Sequence, residues 1–197
     1  MKEYWNNRFS TAEYVFGKEP NDFLKQELDK ITPGKVLFIA AGEGRNAVYA
    51  AQQGWQVDAI DYSETAKEKA LKLATENNVQ INYQIADIFN YSFPIEIYDV
   101  IVSIHFHCKE DLRDKFNAKL ISALKPQGKI ILQVFDKAQI KKNPGGPKDI
   151  TMLYSLEDIV NGFYDLEFEL FVKETSVRNI DGEKKEIEVI RFVGKKL

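Results

Sequence analysis

The sequence contains few of the residues that build disulfide frameworks and metal centres. Among its 197 residues are one cysteine, Cys108, and two histidines, His105 and His107. A single cysteine excludes an intrachain disulfide and any zinc site made of several cysteines. The two histidines lie two positions apart, but the sequence offers no further histidine to complete a ligand set. We therefore predict no metal centre.

Long apolar runs and an excess of one charge are also missing. The longest such run, residues 100–106, has the length of a strand and falls short of the roughly 18 residues of a membrane span. Residues 1–7 lack the apolar region of a signal peptide. Lysine and arginine total 27 against 30 aspartate and glutamate residues, a formal net charge of −3. We expect a cytoplasmic protein that binds neither a membrane nor nucleic acid.

The remaining composition is that of a globular protein, with 44% hydrophobic and 29% charged residues. The length predicts a single domain over residues 1–197. Strand-length apolar runs alternate with helical patterns, which predicts an α/β fold with a mostly parallel sheet. Five strands are predicted at residues 36–40, 57–60, 81–85, 98–104 and 130–135. Two alternating runs, at 166–172 and 187–193, predict an antiparallel C-terminal hairpin connected through Asp181-Gly182.

Short polar motifs mark where helices and turns begin. Asn21 and Ser63 precede helical patterns and can accept a hydrogen bond from the first turn. Ser155 and Asp158 have the spacing of a capping box. Residues 125–128, which contain proline and glycine, predict a turn before the fifth strand.

A glycine-rich loop joins the first strand to the next helix and has the sequence Ala41-Gly42-Glu43-Gly44-Arg45-Asn46-Ala47. Glycine has no Cβ, so a ligand can approach the backbone closely, and the helix start offers free N–H groups. Asp61 ends the next strand, where a carboxylate can accept hydrogen bonds from both hydroxyls of a ribose. The combination predicts a nucleoside site at the carboxyl ends of these two strands.

These residues alone leave the cofactor open. Gly42-x-Gly44-x-x-Ala47 also fits the dinucleotide fingerprint of NAD(P)-dependent oxidoreductases. A tight turn between strand and helix accounts for the glycines without any ligand, and Asp61 could serve as the cap of the following helix.

A wider resemblance points to one cofactor. Residues 36–48 resemble the cofactor loop of class I S-adenosylmethionine-dependent methyltransferases, and Gly42 to Ala47 is similar to the group related to tellurite-resistance and thiopurine methyltransferases. The segment Ile85-Ala86-Asp87-Ile88 resembles the motif whose aspartate holds the adenine amino group. Further similar segments are the turn at 124–128, the N-terminal segments 5–9 and 16–21, and Gln139 with residues 145–148.

The resemblance implies a Rossmann-like, doubly wound sheet of seven strands, mostly parallel, with an antiparallel C-terminal hairpin. It implies S-adenosyl-L-methionine as cofactor and methyl transfer to a small-molecule acceptor, with thiols and chalcogen oxyanions as the first classes to test. Residues 1–34 would form an N-terminal lid and first helix. Residues 136–150 would form a loop near the substrate, where the lysines at 137, 141, 142 and 148 favour a small anionic acceptor.

The resemblance also implies roles for particular residues. The loop would approach the methionine part of the cofactor, Asp61 would hold the ribose, and Tyr62 would cover the adenine edge. Asp87 and Ile88 would bind adenine, although an Asx-turn is an alternative role for Asp87. Ser103 and Ile104 would face the reacting centre. The implied cofactor-binding residues are Ala41, Gly42, Gly44, Arg45, Asn46, Asp61, Tyr62, Asp87, Ile88, Ser103 and Ile104.

Several positions depart from the family pattern or permit two interpretations. Phe38 stands where many class I enzymes carry an acidic residue, and Ala40 stands where they carry glycine. Arg45 could lie near the cofactor carboxylate or make structural hydrogen bonds. His105 and His107 are candidates for proton handling, and His107 matches a histidine that is common in the family. Hydrogen bonding within the loop is their alternative role.

Three classes of function remain at this stage. The leading one is a small-molecule methyltransferase, and the second is an NAD(P)-dependent oxidoreductase, which explains Asp61 but not Asp87. The third is a non-catalytic S-adenosylmethionine-binding protein. A nucleic-acid methyltransferase is disfavoured, because the fourth strand ends in Ser103-Ile104-His105-Phe106 and not in the Asn/Asp-Pro-Pro-aromatic motif of base methylation. The sequence assigns no oligomeric state.

Overall fold

The computed structural model describes residues 2–142, 145–180 and 183–197. Two helices, α1 (Lys2–Phe9) and α2 (Asp22–Leu28), precede the sheet. The strands are β1 (Lys35–Ile39), β2 (Gln56–Asp61), β3 (Asn82–Ile85), β4 (Tyr98–Ile104), β5 (Leu124–Phe135), β6 (Leu166–Ile180) and β7 (Glu183–Lys196). The remaining helices are α3 (Arg45–Gln52), α4 (Glu64–Glu76), α5 (Glu110–Ala123) and α6 (Leu156–Phe163), with 3₁₀ turns at Lys137–Lys141 and Ile150–Met152.

The seven strands form one sheet in the order β3-β2-β1-β4-β5-β7-β6. Neighbours among β1 to β5 are parallel, whereas β7 runs antiparallel to both β5 and β6. This confirms the predicted seven-stranded class I methyltransferase fold with its antiparallel C-terminal strands. The direction of winding reverses between β1 and β4, and open α/β sheets bind ligands beside such a switch point, outside the carboxyl ends of the strands.

Helices cover both faces of the sheet, which explains why the central strands are apolar throughout. Val36 and Phe38 face one core, shared with α2, α3 and α4. Leu37 and Ile39 face the other, shared with α5 and α6. A strand buried on both faces has no polar side to offer water, so the sequence lacks the usual alternation. Phe38 is therefore a core residue.

The local signals predicted the element starts correctly. The Asn21 side chain accepts a hydrogen bond from Leu24 N, and that of Ser63 accepts one from Ala66 N. Ser155 and Asp158 form the reciprocal capping box. The predicted turn at 125–128 is accommodated as an irregularity within β5, where Gln127 has a φ of 66° and the register with β4 shifts.

The structure contains one helix that was not predicted, and one predicted turn falls outside the residues it describes. Helix α1 was not predicted, because its charged and amide residues show no apolar stripe and only Phe9 is buried. The predicted hairpin connection at Asp181-Gly182 lies outside the described residues.

A buried arginine connects α5 to the chain that follows β5. Arg113 is 3% exposed and donates hydrogen bonds to the carbonyls of Thr151 and Leu153, both at 2.8 Å. Its Nη1 lies 3.1 Å from the Asp158 carboxylate, and its guanidinium lies over the Tyr154 ring. One cation thus holds the loop after β5 and the start of α6 against α5.

Replacing Arg113 by methionine should lower the free energy of unfolding by about 3–5 kcal/mol, because two carbonyls and a carboxylate lose a buried partner. Lys137→Met is the matched control, because Lys137 lies 3.2 Å from the same carboxylate but has a side chain that is 35% exposed. In this control the free energy of unfolding should fall by less than about 1 kcal/mol. Urea denaturation measures both, and equal losses would contradict a clamping role for Arg113.

Candidate active site

Asp61 ties the carboxyl ends of β1 and β2 together. Gly42 N donates to its Oδ2 at 3.0 Å, and Ser63 N donates to its Oδ1 at 2.9 Å. Burial raises the pKa of Asp61, and the backbone N–H groups of Ser63, Gly42 and Tyr62 oppose that rise. A carboxylate oxygen accepts two hydrogen bonds. Asp61 therefore caps the following turn and retains acceptor capacity beyond these backbone donors.

The glycine loop is shaped by its neighbours in the fold. Gly44 has a φ of 85°, and a Cβ there would lie 2.6 Å from the Ala70 Cβ, so α3 and α4 need this glycine to pack. A Cβ on Gly42, with φ 54°, would lie 3.6 Å from the Phe9 ring. Ala40 also has a positive φ, 49°, which glycine adopts more readily. In this loop Ala41 and Gly42 are partly exposed, whereas Glu43 and Gly44 are buried.

A second group of residues gathers beside Asp61. Tyr62 is partly buried, and burial raises its pKa to about 12, with further contributions from the charges of Asp61 and Asp87. Asp87 is exposed, accepts a hydrogen bond from Phe89 N at 3.0 Å and so forms the Asx-turn named above as its alternative role. Ile88 beside it is buried. The predicted ribose and adenine residues thus lie at one edge of the sheet.

Two charged or polar residues of the loop hold the N-terminal segment. Arg45 Nη1 donates to the carbonyls of Phe16 and Glu19, at 2.9 and 3.3 Å. Asn46 Oδ1 accepts a hydrogen bond from Asn21 N at 2.9 Å. These are structural hydrogen bonds, the alternative role considered for Arg45, and a contact of either side chain with the cofactor stays a prediction.

The other half of the site lies where β4 ends. Ser103 is buried and Ile104 is partly buried. His105 follows with a φ of 57°, and its backbone N donates to Gln133 O at 2.7 Å. The ring of Phe135 stacks against His105 with centroids 4.5 Å apart. The carboxyl ends of β4 and β5 therefore form an aromatic wall.

A hydrogen-bond chain sets the orientation of the His105 ring. Arg191 Nε donates to Gln133 Oε1 at 3.1 Å, because guanidinium groups donate only. Gln133 Nε2 consequently faces His105 Nε2, 2.9 Å away, as the donor. This network assigns the Nδ1–H tautomer to neutral His105. Gln133 is 3% exposed, and Arg191 is itself paired with Glu174.

His107 occupies a different environment. Its Nδ1 lies 3.1 Å from Met152 O and donates to it, and Phe135 N donates to its Nε2 at 3.5 Å. Burial lowers the pKa of His107 to about 4, and the charge of Arg113 contributes. Both ring nitrogens are thus used by backbone groups, which corresponds to the loop hydrogen bonding considered as an alternative. Burial raises the pKa of the neighbouring Cys108 thiol.

The loop between β5 and α6 closes one side of this wall. A Cβ on Gly146, which has a φ of 79°, would lie 3.0 Å from the Phe135 ring, so the loop can rest on the ring only with glycine there. Lys137 pairs with Asp158, and Lys142 pairs with Glu188. These two lysines therefore have carboxylate partners within the protein.

The chain is similar to known methyltransferases in sequence and in fold. Residues 36–128 match the sequence profile of a family described as a methyltransferase domain. The ubiquinone biosynthesis O-methyltransferase of Rickettsia bellii (strain OSU 85-389) is 27% identical over 116 residues, which cover 59% of this chain and 48% of that protein. Its namesake from Rickettsia conorii is 29% identical over 145 residues, covering 68% and 50%. The chain spans about half the length of these curated relatives.

Solved structures share the fold over the whole chain. TehB from Haemophilus influenzae superposes with a TM-score of 0.77 at 16% identity, covering 100% of this chain and 67% of TehB. The N-methyltransferase NodS from Bradyrhizobium japonicum WM9, solved with S-adenosyl-L-homocysteine, superposes with a TM-score of 0.76 at 13% identity, covering 99% and 97%. At these identities the likeness concerns the fold.

The chain therefore has the fold of class I methyltransferases, and residues 36–128 match a methyltransferase domain, in agreement with the resemblance found in the sequence. The likeness to the tellurite-resistance group is matched in fold by TehB. S-adenosylmethionine is the cofactor of this class, and the residues present fit it. Asp61 has acceptor capacity for ribose hydroxyls, and the backbone at Gly42 carries no Cβ. None of the helices in the described part of the chain has the length and apolar character needed to span a membrane.

Sequence reasoning missed several residues that shape this site. Gln133 is the one uncharged polar residue in the apolar run 130–135, which is a signal that could have been used. Arg191 interrupts the apolar face of β7 and gives a similar signal. No such signal distinguishes Phe135 or Lys69, because an aromatic residue in a buried strand and a lysine on an amphipathic helix are both ordinary.

The lowered pKa of His107 predicts an acid-dependent loss of stability. The ordinary pKa of histidine is 6.5, and that of His107 in the folded protein is about 4. Between these two pH values the side chain is protonated in the unfolded chain and neutral in the folded protein. Stability is thus complete above about pH 6.5 and falls toward pH 4, by up to about 1.4 kcal/mol per pH unit. His107→Asn, which can still donate to Met152 O, should remove this dependence. Urea unfolding at several pH values measures the difference between the two proteins, and parallel curves would refute the assignment.

Proposed function

We propose that the protein transfers the methyl group of S-adenosylmethionine to a small-molecule acceptor. The observation that carries this proposal is the convergence of Gly42, Asp61 and Tyr62 with His105 and Phe135 at the carboxyl ends of adjacent strands. The first three supply a nucleoside site, and the last two supply a wall next to it. When bound, the cofactor supplies an electrophilic methyl group and its own leaving group.

The cofactor half of the proposed site has a simple division of labour. Asp61 accepts hydrogen bonds from the ribose hydroxyls, and its hydrogen bond to Gly42 N keeps the loop in register with β2. Tyr62 and Ile88 bracket the adenine ring, and the Asp87 carboxylate accepts from the adenine amino group. Ala41, Gly42 and Gly44 bring the backbone to the methionine part, with Arg45 and Asn46 holding the segment that covers it.

The acceptor half favours His105 over His107 as the residue that handles a proton. Gln133 donates to His105 Nε2, so the lone pair of the neutral ring lies at Nε2, and the ring accepts a proton there when the Gln133 side chain turns away. Both nitrogens of His107 bind backbone groups, and its pKa of about 4 keeps it neutral near pH 7. Ser103 and Ile104 line the space between the two halves. Residues 136–142 and 145–150 lie on the acceptor side, with Gly146 resting on Phe135.

We propose a thiol or a chalcogen oxyanion as the acceptor class. A nucleophile that is already an anion, or that ionises near neutral pH, needs little help from a base. The oxygen acceptor implied by the name of the Rickettsia proteins is the competing class. A phenol has a pKa near 10 and requires a base at the moment of transfer. The two classes therefore differ in their dependence on His105.

Calorimetric titration with S-adenosylhomocysteine tests the cofactor half. Asp61→Asn should weaken binding at least tenfold, because a charged acceptor becomes a neutral amide that presents N–H groups to one hydroxyl. Asp58→Asn is the matched control, because Asp58 is a buried aspartate three residues earlier on the same strand, where it binds Lys35, Tyr98 and Asn82. The control should keep the parent affinity. Binding of NADH in place of S-adenosylhomocysteine would instead support an oxidoreductase.

Methyl transfer to a thiol, to selenite or tellurite, and to a catechol tests the acceptor half. His105→Gln should lower transfer to the catechol by about a hundredfold or more and transfer to the thiol by less than about threefold, because only the catechol needs a base. His107→Asn should leave both rates unchanged. If the transfer rates fell in the His107 variant and not in the His105 variant, the proton-handling role of His105 would be contradicted. Tight binding of S-adenosylhomocysteine without transfer to any acceptor would support a non-catalytic binding protein.

A further inference from the structure

The ammonium group of Lys69 lies at the centre of a cluster of oxygen atoms. Lys69 is on α4, and its Nζ lies 2.5 Å from the Glu43 carboxylate. The same Nζ donates to the backbone carbonyls of Glu13, Thr11 and Phe9, at 2.7, 3.0 and 3.3 Å. All three carbonyls belong to the N-terminal strap, the name used here for residues 2–21. One partly buried cation therefore bonds the strap to the glycine loop.

Glu43 and Tyr14 complete this junction from either side. Glu43 Oε2 accepts a hydrogen bond from Val15 N at 2.8 Å, so its two oxygens bind α4 and the strap. Tyr14 donates from its hydroxyl to Lys69 O at 3.0 Å, and its ring lies 4.9 Å from the Lys69 Nζ. The carboxylate side chain of Glu43 is 3% exposed and the Lys69 side chain 13%.

The strap depends on such polar contacts because it buries few apolar side chains. Within residues 2–21 only Phe9 is buried, and the remaining residues are exposed or partly exposed. A segment with so little buried apolar surface gains little from the hydrophobic effect. Two exposed pairs, Lys2 with Glu64 at 2.9 Å and Lys18 with Glu76 at 2.7 Å, add weak contacts to α4. Of the lysines in these three ion pairs, Lys69 is thus the least exposed.

The position of Glu43 links this attachment to the cofactor. Glu43 lies between Gly42 and Gly44, and its backbone is part of the surface that approaches the methionine half of the cofactor. The Phe9 ring lies over Gly42, 3.6 Å from the point a Cβ would occupy, and stacks on Trp5. Holding Phe9 O by Lys69 therefore also sets where the ring lies above the loop.

We propose that Lys69 and Glu43 are positioning residues of the cofactor site, whose ion pair locks the strap against the glycine loop. This inference rests on the proposed function. Neither side chain is proposed to contact the cofactor. Cofactor binding and strap docking favour one another, and thermodynamic linkage requires the effect to be reciprocal.

Strap docking can be measured without any ligand. The chain has two tryptophans, Trp5 in the strap and Trp55 in the core, so a Trp55→Phe background leaves Trp5 as the single fluorescent reporter. Trypsin can cut the strap after Arg8 and Lys18. In this background Lys69→Met should raise the cleavage rate at these sites at least tenfold and shift Trp5 emission to longer wavelength. Glu43→Gln, which keeps an oxygen for Val15 N, should give an intermediate effect.

Titration of the same proteins with S-adenosylhomocysteine provides the second measurement. Lys69→Met should raise the Kd at least tenfold, and S-adenosylhomocysteine should slow strap cleavage in the parent protein. Lys2→Met is the matched control, because it removes an exposed pair between the same two segments; its cleavage rate and Kd should change less than twofold. Circular dichroism verifies that each variant is folded, and Glu43→Gln replaces Lys69→Met in the comparison if the latter unfolds.

The outcomes separate this inference from the proposed function. A parent protein that binds S-adenosylhomocysteine, with Lys69→Met and Lys2→Met giving the same Kd, would overturn the positioning role and leave the proposed function intact. A parent that does not bind S-adenosylhomocysteine would overturn the proposed function and the cofactor role of the pair together. Increased strap cleavage with unchanged Kd would overturn the coupling between strap and cofactor site.

Discussion

The hydrogen bond from Gly42 N to the Asp61 carboxylate joins the two loops on which the site depends. Parallel strands end at the same edge of a sheet, so the loops after β1 and β2 are neighbours by topology. Asp61 converts this proximity into a fixed geometry, since its two oxygens bind the loop on one side and the start of α4 on the other. The cost of burying this carboxylate is offset by backbone N–H donors.

The residues around this bond fall into two groups with different tasks. Some face the space where the cofactor is proposed to bind, and Asp61, Tyr62 and the Gly42 backbone are the main examples. Others, such as Arg45 and Lys69, hold the N-terminal strap, which is proposed to cover that space. A methyltransferase must align three atoms and exclude water more than it must supply acid or base. A site whose charged side chains mainly hold its own loops in place is suited to aligning these atoms and excluding water.

The sequence was sufficient where structure is local. The bounds of β4 coincide with the predicted strand, and the caps at Asn21, Ser63 and Ser155 were predicted because each cap bonds within its own first turn. Contacts between distant segments could not be predicted. The Lys69–Glu43 pair requires α4 to lie beside the strap, and the Gln133–Arg191 contact requires the antiparallel register of β5 and β7. Neither arrangement follows from spacing along one element.

A crystal structure of the protein with S-adenosylhomocysteine tests the central claim most directly. We expect ribose hydroxyls within about 3.2 Å of the Asp61 carboxylate oxygens, a normal hydrogen-bond distance. The homocysteine part should lie beside Gly42 and Phe9, with the strap docked through Lys69. Ligand bound at another edge of the sheet, or at this edge with the ribose away from Asp61, would contradict this claim.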